Sequence, residues 1–108
     1  MRMWCIQAAC AAFLVAGGAS AIAAEHVVLQ KGKAFSTKKI SVKLGDSVKF
    51  VNEDPFSHNV FSLSDAKSFD LGSYGQGGAK SITLDKPGTV EVECAVHPDM
   101  KLVIEVSK

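Results

Sequence analysis

From residue 27 onward the chain alternates apolar and polar residues in short runs, each broken by Gly, Pro, Asp or Asn. No stretch keeps a helical period and no segment repeats, so the pattern predicts an all-β domain. Residues 27–30 form the first candidate strand. In Ile40-Ser41-Val42-Lys43-Leu44 the apolar residues share one face, Gly45-Asp46 turns the chain, and Val48 and Phe50 continue the inward face as far as Asn52. This reads as a hairpin. A further strand is expected over 59–63. Residues 64–68 and 72–78 read as loops, with only the short run 69–71 between them. Residues 81–84 alternate again, and Lys86-Pro87-Gly88 is a turn signal.

The last two strands carry most information. A period of two places Val90, Val92 and Cys94 toward the core and Glu91 and Glu93 in water. Leu102, Ile104 and Val106 then face inward, Lys101 and Glu105 outward, and residues 95–100 connect the two strands. Short strands at this spacing predict a single-domain β-sandwich.

The first 24 residues differ from the rest. Arg2 is followed by an uncharged apolar stretch, residues 5–24, ending Ala21-Ile22-Ala23-Ala24. A basic start, an apolar run and a small-residue cleavage site predict a signal peptide over 1–24, which leaves a single domain over 25–108. Cys5 and Cys10 leave with that segment, so the mature domain keeps Cys94 alone and has no disulfide. A small exported domain without disulfides needs another staple, and a metal would serve. Beyond Arg2 the chain carries eleven lysines and eleven acidic residues. That balance gives no basic footprint for nucleic acid.

The connecting turn reads Cys94-Ala95-Val96-His97-Pro98-Asp99-Met100: a thiolate, an imidazole three residues on, and a thioether three further. Two histidines and a cysteine in a trigonal plane with a weak axial methionine are the ligand set of an electron-transfer copper site. The loop supplies three of the four, and His58 is the candidate for the fourth. Chance places a histidine and a methionine at those offsets about once in two thousand such chains, so the spacing outweighs the plainer reading of Cys94 as a small core residue. Four protein ligands leave no open position for substrate, which favours electron transfer over catalysis.

On His58-Asn59-Val60, Lys86-Pro87-Gly88-Thr89 and Cys94-x-x-His97-Pro98-x-Met100, the chain resembles the cupredoxin family of type 1 blue-copper proteins, its ligand loop most similar to the amicyanin and plastocyanin-like branch. The resemblance implies a Greek-key β-sandwich with one copper ion held by His58, Cys94, His97 and Met100. It gives Asn59 the role of tying the two ligand-bearing loops together, a second-sphere effect on ligand orientation. It also implies that His97 exposes an edge through which electrons pass, with Pro55, Phe56 and Pro98 in an apolar docking patch for redox protein partners. Val96 departs from the family pattern, which usually has proline before the second histidine.

The resulting expectation is a monomeric, periplasmic one-electron carrier, not an enzyme, with no stable membrane insertion after cleavage. The alternative is a periplasmic copper-binding protein for storage or delivery. Zinc is compatible with the ligand types but would leave the axial methionine without purpose. His26 reads as a solvated terminal residue, Lys38-Lys39 as an exposed face, and Asn52 and Asp54 as residues that turn the loop. No chemistry is read into residues 69–78.

Overall fold

The computed structural model describes residues 22–108. The expected signal segment lies outside the described residues except for its last three. Eight strands follow in chain order: β1 (Glu25–Gln30), β2 (Lys39–Lys43), β3 (Ser47–Asn52), β4 (His58–Ser64), β5 (Lys67–Tyr74), β6 (Ala79–Thr83), β7 (Gly88–Glu93) and β8 (Lys101–Ser107). They form a three-stranded sheet, β1-β3-β6, and a five-stranded sheet, β2-β8-β7-β4-β5. The two sheets pack into a sandwich, as the alternation predicts, with the Greek-key topology that the resemblance implies.

The alternating faces meet in one core. Val48 and Phe50 from β3 and Val28 from β1 oppose Val90 and Val92 from β7 and Leu102 and Ile104 from β8, all buried. Phe50 sits at the centre, edge-on to Phe35 at 6.0 Å and stacked on Phe69 at 6.5 Å between ring centroids. Aromatic pairs at these separations add to area burial.

Two expectations are corrected. β2 and β3 are not a hairpin: β2 pairs in parallel with β8, and β3 pairs in parallel with β1. The turn at Gly45 carries the chain from one sheet to the other. Leu44 N–H donates to Ser107 C=O and Gly45 N–H to Leu84 C=O, each at 2.7 Å. Gly45 has φ +95°, a conformation that costs glycine least. Alternation determines which side of a strand faces the core but not which strand lies beside it. Leu44, expected inward, is exposed because the alternation ends at the turn. The second correction concerns 67–74, read mostly as loop. These residues form β5, an edge strand paired antiparallel with β4, with a register shift between Asn59 and Phe61. Gly72 and the polar residues obscured the strand in the sequence, as is usual for an edge.

His26 is not a free terminal residue. Its Nε2 lies 2.9 Å from Asp46 Oδ2, and Asp46 also accepts N–H bonds from Ala24 and Lys43 at 2.9 Å each. This cluster sits where β3 begins, whereas the loop bearing His58 leaves from its other end at Asn52.

Candidate metal centre

β4 and β7 are neighbours, bridged at Phe61 and Glu93. His58 opens β4 and Cys94 directly follows β7, so the antiparallel pairing delivers both side chains to one end of the sandwich. The 95–100 turn then folds back with Met100 N–H donating to His97 C=O at 2.9 Å. His58, Cys94 and Met100 are buried, while His97 is only partly so. The ligand-capable atoms of His58, Cys94 and His97 all lie within 4.8 Å of one another. Met100 sits immediately before β8, with its side chain inside the same core.

The triangle is specific. His58 Nδ1 lies 3.7 Å from Cys94 Sγ, His97 Nδ1 lies 3.8 Å from the same sulfur, and the two Nδ1 atoms are 3.1 Å apart. Bond lengths of ~2.0 Å to nitrogen and ~2.3 Å to sulfur around a trigonal ion give N···S edges of ~3.7 Å and N···N edges of ~3.1–3.5 Å. Thiolate, two imidazoles and a buried thioether are also the donor chemistry copper selects. The residues therefore fit the ion.

Asn59 follows His58, and its Oδ1 accepts the Ala95 N–H at 2.8 Å while lying 3.4 Å from Cys94 Sγ. One side chain thus spans β4 and the 95–100 turn. Phe56 packs against both histidines, with ring centroids 5.3 Å from His58 and 5.4 Å from His97. Phe56 is 37% exposed and Val96 61% exposed, and Pro55 and Pro98 are exposed as well. His97 therefore reaches solvent through an apolar rim.

Two buried polar residues support the site: Asn52 turns the loop as the sequence suggests, while the contact of Asp54 with His58 was not read from it. Asn52 organises the 53–57 loop: its Nδ2 donates to Phe56 C=O at 2.9 Å and Tyr74 C=O at 3.0 Å, and its Oδ1 accepts Asp54 N–H at 2.8 Å. Asp54, 4% exposed, places Oδ2 at 2.6 Å from His58 Nε2. A carboxylate only accepts, so Nε2 carries a proton, which leaves Nδ1 as the nitrogen able to offer a lone pair to the trio. Burial pushes the Asp54 carboxyl up, but the hydrogen bonds from His58, Gly32 and Lys33 outweigh it and hold the carboxyl below its ordinary value. Asn-x-Asp-Pro is a turn signature, and nothing in that spacing indicates that the carboxylate meets a ring nitrogen. Tyr74, opposite His58 in register, donates to Gln30 Oε1 at 2.7 Å. Burial, with the charge of Cys94 adding to it, pushes its phenol up.

A Greek-key sandwich that closes one end over a buried cysteine, two histidines and a methionine is a cupredoxin-type protein. The family described as copper binding proteins, plastocyanin/azurin family, matches residues 23–107. The chain belongs to that family, and its cofactor is copper. It is 40% identical over 84 residues to the chloroplastic plastocyanin of Physcomitrium patens, covering 68% of this chain and 50% of that one. It is 30% identical over 83 residues to amicyanin of Paracoccus denitrificans, covering 66% and 58%. The chain thus spans half to three fifths of the length of these relatives. Among solved structures, a copper-containing nitrite reductase from Thermus scotoductus superposes with a TM-score of 0.74 at 31% identity, covering 87% of this chain and 25% of that one. A reduced Cu(I) amicyanin variant superposes with a TM-score of 0.70 at 27% identity, covering 85% of each chain.

Proposed function

We propose that this chain is an exported one-electron carrier whose copper is held by His58 Nδ1, Cys94 Sγ, His97 Nδ1 and the Met100 thioether. The observation that carries this reading is the closed triangle of two Nδ1 atoms and one Sγ, buried except along the His97 edge. Bound copper supplies a Cu(I)/Cu(II) couple that takes up and gives back one electron.

The residues divide the remaining work. His58 anchors the inner side, its ring held by Asp54 behind and Phe56 beside it. Cys94, at the end of β7, supplies the thiolate, and Asn59 restrains the turn that follows. A ligand set held by a β-scaffold on both sides moves little between oxidation states. His97 offers the short route outward, and the rim of Pro55, Phe56, Val96 and Pro98 suits transient docking of a redox protein, whose interfaces are small. The residues 1–24 pattern supports export to the periplasm.

The storage or delivery reading calls for several accessible methionines or histidines. Beyond the expected signal segment, Met100 is the one methionine, and it is buried. The nitrite reductase neighbour is an enzyme by name, but this chain covers a quarter of it. Among the described residues, His58, Cys94 and His97 form the one such cluster of three His, Cys or acidic ligand atoms.

The test is to add Cu(II) to the purified protein and record visible absorption and electron paramagnetic resonance. An intense thiolate-to-copper band with narrow copper hyperfine splitting, bleached reversibly by reductant and absent from Cys94→Ser, is the expected result. A pale, ordinary Cu(II) spectrum overturns the electron-carrier reading.

A further inference from the structure

We propose that Asp54 is a positioning residue for the copper site: by holding His58 from behind with a buried negative charge, it raises metal affinity and lowers the reduction potential. The inference rests on the copper-site reading above and adds a determinant outside the ligand set.

The carboxylate is built in, not incidental. Its Oδ2 meets His58 Nε2 at 2.6 Å, its Oδ1 accepts Gly32 N–H at 2.7 Å and its Oδ2 also accepts Lys33 N–H at 3.1 Å. Its own N–H is taken by Asn52 Oδ1. Gly32 and Lys33 both sit in the left-handed region, with φ 65° and 60°. Lys33 is the one non-glycine residue with positive φ among the described residues. Two successive residues bent this way turn their N–H groups toward one acceptor, a concavity suited to an anion. They are the two central residues of a turn that Lys31 and Ala34 close with reciprocal backbone bonds at 2.9 and 3.2 Å, a turn that needs positive φ at both positions.

Two consequences follow for the metal. The Asp54 bond to Nε2 fixes both the tautomer and the ring orientation of His58, so its Nδ1 lone pair is aimed before an ion arrives. A negative charge one ring away from a cation stabilises the more highly charged oxidation state, so Cu(II) gains over Cu(I) and the potential falls. His97 has no equivalent carboxylate partner among the bonds of the described residues: its ring nitrogen contacts are to Cys94 and His58. The inner histidine is therefore the braced one, and the bracing runs to the loop between β1 and β2.

The full chain and its Asp54→Asn, Asp54→Ala and Asp54→Glu variants would be loaded with Cu(II) for potentiometry and, separately, titrated with Co(II) for affinity. In Asp54→Asn and Asp54→Ala the Co(II) dissociation constant is expected to rise about 10- to 100-fold. The Cu(I):Cu(II) balance at fixed potential is expected to shift about tenfold toward Cu(I), a rise of about 59 mV. Asp54→Glu, which keeps the charge, should recover part of both. Unchanged potential and Co(II) affinity in every variant that folds, with only the melting temperature reduced, would overturn the proposal and leave Asp54 a loop-stabilising residue. If Asp54→Ala does not fold, the isosteric Asp54→Asn decides. A wild-type protein without a thiolate-to-copper band defeats the electron-carrier reading alone, and the Co(II) series still decides the role of Asp54.

Discussion

The Nδ1 atoms of His58 and His97 face each other at 3.1 Å although their residues lie 39 positions apart. At that distance the two nitrogens can share one proton or hold one cation between them. A metal that binds the folded trio and not the unfolded chain adds its binding free energy to folding. Metal at about 1,000 times its dissociation constant stabilises the native state by about 4 kcal/mol. For a domain of this size that raises the Tm by roughly 15–30 °C. Thermal unfolding of the metal-free and Cu(II)- or Zn(II)-loaded protein checks this, and coincident transitions would dismiss the trio as a binding site.

Met100 is buried directly before β8, packed as a core residue beside the trio. Met100→Leu conserves volume and is expected to cost less than about 1.5 kcal/mol of stability. Copper and the visible band are retained, while loss of the thioether raises the potential, about 59 mV for a tenfold shift toward Cu(I). Complete loss of copper would contradict a weak axial role.

Val96, 61% exposed, stands beside His97 in the apolar rim. Electron self-exchange brings two such rims together, so Val96→Asp sets like charges against each other at the contact. The self-exchange rate constant, measured by nuclear magnetic resonance line broadening at low salt, is expected to fall about tenfold or more and to recover partly as salt is added. An unchanged rate would place the electron's exit elsewhere.

At the other end of β3, the His26 hydrogen bond, aided by the N–H groups of Lys43 and Ala24, lowers the Asp46 carboxyl from 3.8 to about 2. A carboxyl group depressed in the folded state contributes stability in full above its unfolded value and loses it as pH falls toward the folded one. Asp46→Asn should therefore lower the Tm at pH 7, and the difference from wild type should close between pH 4 and pH 2. A difference that persists unchanged at pH 2 would show that the Asp46 charge contributes nothing.

Strand faces, the sandwich class and the chemistry of the 94–100 turn were legible in the linear order of residues, because side-chain period and ligand spacing are local properties. The alternation of Val90, Val92 and Cys94 already pointed the cysteine inward, and Cys94, His97 and Met100 share one short turn. What the tertiary structure decided is non-local. A period of two is indifferent to which neighbour completes the ladder, so β2 and β3 could separate into different sheets after a turn that reads like a hairpin. The 3.1 Å approach of His58 to His97 depends on β4 lying beside β7. The role of Asp54 depends on a histidine ring turning back over its own loop while the backbone at Gly32 and Lys33 closes from the loop between β1 and β2, and no pattern along the chain encodes where such segments meet.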